Sequence, residues 1–402
     1  MILLSILYMV DNSMRNDTVF GTRLLVLLNN LSAGLRPSVV VAILSGALIG
    51  AVALTNHYSV LDFVHLGTIW ANHNPSGTWG YDGQFYYQIA HNPLQAGQYM
   101  DNAPFRYQHI FYPLVVGVLS LGQTALIPWL LLLVNLLAVA LSVEILARLL
   151  QKFGFSPWFS LALGLYFGQS AGILFDTAEP FTYFLVCLGA WFLLEKRCFW
   201  PAALLMGLAT LSREIAVLFP IGYVCVLAMQ KKWRPFIAFV LLGIAPLFLW
   251  LLTLRIIFGQ TGMTFTQPFE HIPFAGIFFH ADAPRKFYLL LLLMFLPTLA
   301  GWGLFIIDFL RQILRGSGPL LLRFSPLHLI LGANLLMITL MNHHSYDELI
   351  SCGRIATGLV LVVLLYGMQT RNIRVLWGAQ FYTCTFLLFA AGTLLHLPSF
   401  IS

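Results

Sequence analysis

The chain has 402 residues, 59% hydrophobic and only 9% charged, with 21 Lys and Arg against 15 Asp and Glu. A soluble domain is about 25% charged, so this charge cannot cover a water-facing surface of that size. A water-soluble enzyme, a disordered chain and a fibrous protein are excluded, and the solvent left is lipid. The formal balance is +6. No run of five basic residues exists, so the excess marks membrane sidedness and not a nucleic-acid partner. The five cysteines (187, 198, 225, 352 and 384) have neither CxxC nor Cys/His spacing, which gives no disulfide framework and no zinc site.

A crossing helix needs about 20 mostly apolar residues, and in lipid its backbone must satisfy its own hydrogen bonds. The first ten residues, MILLSILYMV, are too short and too uncharged at the start for a secretory signal. Residues 1–36 are expected to be a cytoplasmic N-terminal segment. Spans follow at 37–56, 126–149, 157–175, 180–195, 199–212, 215–230, 235–258, 287–310, 326–342, 353–369 and 375–397, eleven in all. Gly46 and Gly50 in the first span form a small-xxx-small pair, expected to mark close helix packing. The breaks at Glu195-Lys196-Arg197 and Ser212-Arg213-Glu214 separate short neighbours. Ile110–Gly122 is apolar but too short to cross, which suits an interfacial helix. The fold class is therefore an all-α polytopic membrane protein, with about eleven transmembrane helices and a structured outer first loop containing short juxtamembrane helices.

With the N-terminus inside, fifteen of the 21 cations lie on the inner side. Arg106, Arg213, Arg255, Arg285, Lys286 and Arg354 make up the outer six. That asymmetry satisfies the positive-inside rule. Ten of the 15 acids fall outside, which the rule does not require. An outward cluster of carboxylates points to chemistry there.

Residues 57–125 form the outer loop region, rich in Trp, Tyr and Phe. Within it Asp82, Phe85, Tyr86 and Ile89 share one face of a short helix. Asp82 could cap that helix or act as a general base tuned by an apolar cavity. Arg106, in Phe105-Arg106-Tyr107, could grip a phosphate with its planar fork or sit among lipid headgroups.

The wording YDGQFYYQIA (81–90) followed by FRYQHIFYPL (105–114) resembles the GT-C superfamily of membrane glycosyltransferases. It looks most like bacterial cell-surface glycopolymer members and is similar to the second GPI mannosyltransferase. Asp176-Thr177-Ala178-Glu179-Pro180-Phe181 and Leu208–Glu214 agree with the second acidic site and the G-L-A-x-L-T-R/K segment of such enzymes. The likeness covers about residues 37–230, and it divides the chain into a GT-C-like module at 37–258 and a C-terminal membrane module at 259–402. Three departures stand out. Tyr81 replaces a tryptophan, Asp82 lacks an acidic neighbour, and Arg213 could pair with Glu214.

The resemblance implies transfer of a sugar, with inversion, from a polyprenyl-phosphate donor to a glycan or glycolipid acceptor on the outer face. It implies Asp82 as the base, with Asp101, Asp176 and Glu179 as further acidic candidates. The phosphate candidates are Arg354, Arg106, Arg285 and Lys286, although Arg354 could instead pair with Asp347 or Glu348. Tyr81, Gln84, Tyr86, Tyr107 and Tyr112 are expected to line the substrate. No cofactor and no metal are expected, since the adjacent His343 and His344 make a poor chelate. The competing class is a transporter or lipid-linked glycan flippase, which the scarcity of mid-span charge disfavours.

Overall fold

The computed structural model describes residues 35–315 and 324–396, and among them there is no strand. Most of the segment at 1–36, and the C-terminal residues from 397, lie outside the described residues. The longer helices, in chain order, are α1 (Pro37–Asn56), α2 (Gly83–His91), α3 (Phe111–Leu119), α4 (Ile127–Lys152), α5 (Phe167–Leu174), α6 (Glu179–Leu194) and α7 (Phe199–Ser212). They continue with α8 (Leu218–Met229), α9 (Trp233–Phe258), α10 (Pro284–Leu314), α11 (Pro326–Leu340), α12 (Leu349–Gln369) and α13 (Ile373–Leu394).

Six of these helices are long and apolar enough to cross a bilayer: α1, α4, α9, α10, α12 and α13. Four more, α6, α7, α11 and the Glu214–Met229 stretch that holds α8, are apolar but shorter. The eleven expected positions thus do not give eleven full-length helices. The clearest difference is 157–175. It breaks into Pro157–Ser160, Leu161–Gly164 and α5. The helical ladder lapses at Tyr166, which is extended, and the Phe167 amide donates to Thr385 Oγ1 at 3.0 Å. The break at Ser212-Arg213-Glu214 is present as expected. In α9 and α10 the turns widen at Phe239–Ile244 and Leu291–Phe295, each just before a proline, Pro246 and Pro297. A proline ring clashes with the carbonyl four residues back, and a wider turn absorbs it.

The layout is that of a helical membrane protein. Large apolar side chains face outward on the peripheral helices, such as Leu54 (79% exposed) on α1 and Ile256 (76%) on α9. Such a surface is stable against lipid tails and costly against water. The centre is α12, whose apolar window is 83% buried against 22% for α1 and α10. It packs on α5, α6, α11 and α13, so the two expected modules share one core. Closest approach comes where Gly353 of α12 meets Gly168 of α5. A Cβ on Gly168 would lie 2.3 Å from the Gly353 carbonyl oxygen. Gly46 and Gly50, expected at a tight crossing, have no neighbour within 4 Å of a built Cβ. That expectation is corrected: no neighbouring helix packs closely on either glycine among the described residues.

The loop after α1 is a series of short helical turns ending in α3, whose nine residues span only about 14 Å at about 1.5 Å per residue. α3 packs on α2 and is too short to cross a bilayer by itself.

Candidate functional site

A tight loop delivers Asp82. Gly80 sits at φ +71 with its back against Gly67, a conformation and a proximity that both require glycine. The Tyr81 amide donates to the His65 carbonyl at 3.0 Å. Gln84 braces the turn: Oε1 accepts from the Gly67 amide and Nε2 donates to the Trp79 carbonyl, both at 2.9 Å. Asp82 then precedes α2, but its side chain caps nothing. The capping alternative is corrected, because both carboxylate oxygens are taken by arginines. Oδ1 accepts from Arg106 Nη1 and Oδ2 from Arg354 Nη2, each at 2.7 Å.

The two arginines are held differently. Asp101 grips Arg106 as a fork, accepting from Nε at 2.8 Å and Nη2 at 2.6 Å, while the Phe85 ring lies 4.1 Å from the guanidinium carbon. Arg354 is 3% exposed. Its Nη1 and Nε make no hydrogen bond among the described residues, although Nε lies 3.4 Å from Glu179 Oε1. Arg213 Nε lies 3.3 Å from that same oxygen. A row of alternating charge results: Asp101, Arg106, Asp82, Arg354, Glu179, Arg213. Burial alone would raise the Asp82 carboxyl. The charges of Arg106 and Arg354, with Arg213 beyond, overcome that and hold it well below the usual carboxylate range.

Asp82 opens onto a polar cavity of about 180 Å³, whose walls include Asp101, Arg106, Glu348, Ser351, Trp70 and Trp79. Ser351 Oγ donates to Glu348 Oε2 at 2.9 Å and lies 3.1 Å from the Tyr81 hydroxyl. Beside it is a second, more apolar cavity of about 350 Å³, walled by Val52 and Asn56 of α1, by Phe63, His65 and Phe175, and by Thr393 and His396 at the end of α13. Gly80 and Tyr81 belong to both walls. His65 stacks on Phe175 with ring centroids 4.5 Å apart, and burial pushes its imidazole down to about 4.

The remaining expected residues divide. Tyr81 and Gln84 line the polar cavity, Gln84 with its amide committed to the loop. Tyr86 is buried edge-on against Tyr112 at 5.6 Å. The Tyr112 hydroxyl donates to the Leu131 carbonyl and that of Tyr107 to the Pro93 carbonyl, so neither phenol faces the cavity. Asp176 is fully buried and neither of its oxygens has a partner among the described residues. Burial alone raises its carboxyl well above the usual range. Arg285 is exposed at the start of α10, and neither it nor Lys286 pairs with the Asp82 cluster among the described residues. The suggested Arg354 pairings with Asp347 or Glu348 are replaced by Asp82 and Glu179. The suggested Arg213–Glu214 pair is replaced by Arg213–Glu179, with Glu214 Oε2 bonded to His109 Nε2. His343 and His344 turn to different carboxylates, Glu270 and Asp347, and no group of three or more His, Cys, Asp or Glu among the described residues is placed to hold a metal ion.

Ser351, Glu348, Phe85 and the two tryptophans were not among the residues expected to line the site, although the sequence places Phe85 on the Asp82 face of its helix and offers Glu348 as a partner for Arg354. A signal existed for two of them: Glu348, Ser351 and Arg354 recur every three residues, which places them along one side of α12. No known family model matches the chain, and no curated protein or solved structure shows significant similarity to it.

Proposed function

We propose that the chain is a membrane glycosyltransferase. It moves a sugar, a hexose such as mannose, from a polyprenyl-phosphate donor to a hydroxyl of a glycan or glycolipid on the outer face of a cell membrane. The observation that supports this best is the adjacency of the two cavities. One offers carboxylates to accept from sugar hydroxyls, and indole rings with flat apolar faces. The other is walled largely by apolar side chains, lies between the outer ends of α1 and α13, and suits an isoprenyl chain. A ligand with a polar head and an apolar tail fits that pair of spaces. Eleven crossings, an inner N-terminus, and a site and C-terminus on the outer side belong to the same proposal.

The chemistry asks for few groups. The acceptor oxygen bonds to the anomeric carbon as the bond from that carbon to the phosphate oxygen breaks. Polyprenyl phosphate leaves with the electron pair, and the hydroxyl proton passes to Asp82. Arg106 at the cavity wall and Arg354 behind Asp82 offset charge growing on the phosphate. Burial among arginines and aromatic rings strengthens those interactions over their value in water.

The test is transfer by the purified protein in lipid nanodiscs, given radiolabelled polyprenyl-phosphate sugars and a membrane lipid extract. Label should appear in an acceptor and disappear with Asp82→Asn. A transport reading draws on the broken 157–175 segment, since discontinuous helices are common at transporter binding sites. Label crossing the bilayer of sealed vesicles without any transfer product would decide for transport.

A further inference from the structure

Asp82 is the proposed base, yet it sits bonded to two arginines. A base works best with an affinity for protons near the ambient pH, and a carboxylate bearing two cations is a poor acceptor. The two clamps differ in how freely they can let go. Arg106 is fixed by the fork from Asp101. Arg354 has one hydrogen bond, Nη2 to Asp82, and leaves Nη1 and Nε without any among the described residues. A buried guanidinium with unfilled donors is costly, and an added oxygen anion relieves that cost.

Resting on the donor-phosphate reading above, we infer that Asp82 occupies the anion position of Arg354 in the resting protein, and that a phosphate monoester or diester entering the polar cavity takes that position and frees Asp82. Asp82 is 20% exposed at the cavity wall and Arg354 only 3%, so an anion reaches Arg354 by way of the carboxylate. Ser351, one turn from Arg354 on α12, lines that route. Arg106 remains with Asp101 and keeps one Asp82 oxygen in place. The exchange restores proton affinity to Asp82 only when a phosphate is present. It couples donor binding to readiness of the base, and keeps the base idle toward hydroxyls when no donor is bound.

Competition between Asp82 and phosphate for one cation has a measurable sign. Removing the charge of Asp82 must strengthen phosphate binding, although Asp82 is itself part of the site. The probe is farnesyl phosphate, a short isoprenyl monophosphate, titrated calorimetrically into the purified full chain in detergent at neutral pH, with farnesol and inorganic phosphate alongside. Asp82→Asn should bind farnesyl phosphate at least about tenfold more tightly than the parent, and Arg354→Ala should lose that binding. Glu348→Gln removes a carboxylate from the same cavity that bonds to Ser351 and not to Arg354. It should tighten binding less than Asp82→Asn does.

Equal or weaker binding by Asp82→Asn, while Arg354→Ala still abolishes it, overturns the exchange and leaves the donor-phosphate reading standing. Equal tightening by Glu348→Gln also overturns it, since the effect is then general repulsion. Inorganic phosphate following the same order of variants supports the exchange and shows that it needs no lipid tail. Absence of farnesyl phosphate binding by the parent and by Asp82→Asn overturns both the exchange and the donor reading.

Discussion

At the scale of single residues, Asp82 carries two separable duties. It is the proposed proton acceptor, and it neutralises two buried cations. Asp82→Asn keeps the shape and one oxygen acceptor, so it should fold with only part of the pairing loss, yet lose turnover by about 10²–10⁴-fold. Asp82→Ala leaves Arg354 with only Glu179 beside it, and should lose turnover and, in addition, about 3 kcal/mol of stability. That is the low end for a broken buried pair, because Asp82 is 20% exposed. Thermal unfolding beside the transfer assay separates the two duties. An alanine variant as stable as the parent would contradict the ion-pair account. That Asp82 stands at the start of a short helix among aromatic residues was legible in the sequence. Its partners were not, because Arg354 is 272 residues away and nothing local announces a contact at that range. His65 gives a second test. Its imidazole is neutral in the fold down to about 4 and would take up a proton near its ordinary value of 6.5 once unfolded. The stability it supports is therefore complete above about 6.5 and drains as pH falls toward about 4. His65→Asn tolerates the φ of +53 and does not titrate, so its melting temperature should fall less steeply across that window. Equal slopes in parent and variant would remove His65 from the acid response.

Among the elements, the α5–α12 contact sets where Arg354 stands. Gly168→Ala puts a methyl group 2.3 Å from a backbone carbonyl that cannot rotate aside. The helices must part, at a cost of about 1–3 kcal/mol. Arg354 follows Gly353 directly, so the parting should also stretch its bond to Asp82. We expect a lower melting temperature and a loss of turnover larger than the unfolded fraction accounts for. Gly46→Ala, with open space around it, should change neither. Helix positions could be read from apolar runs, because lipid demands them wherever a chain crosses. The break in 157–175 could not. Hydropathy reports how apolar a stretch is, and this one is apolar throughout. The lapse at Tyr166 depends on a hydroxyl from Thr385 that arrives from the far end of the chain. Likewise, the Gly46/Gly50 spacing marks a capacity for close packing, which only a partner helix can use.

For the molecule as a whole, charge asymmetry sets the expected sidedness, with the N-terminus inside. A membrane-impermeant maleimide should label Ser76→Cys in intact cells. Cys198 is exposed beside Lys196 and Arg197, and should react only after the membrane is opened. Labelling of Cys198 from outside would invert the topology and move the Asp82 cavity to the inner face. The general class was legible at this scale, since composition alone requires lipid. The central position of α12 was not, since its sequence is no more apolar than that of the peripheral helices: its mean hydropathy is 2.0 against 2.3 for α1. The long reach of the Asp82–Arg354 bond also has a consequence in time. Asp82, Asp101 and Arg106 leave the ribosome close together, whereas Arg354 emerges 272 residues after Asp82. At about 5–20 residues per second, that is a delay on the order of 15–55 seconds. Throughout that interval the nascent protein carries its acidic loop without its second cation. The site closes only when one of the last helices slides into the middle of those already inserted.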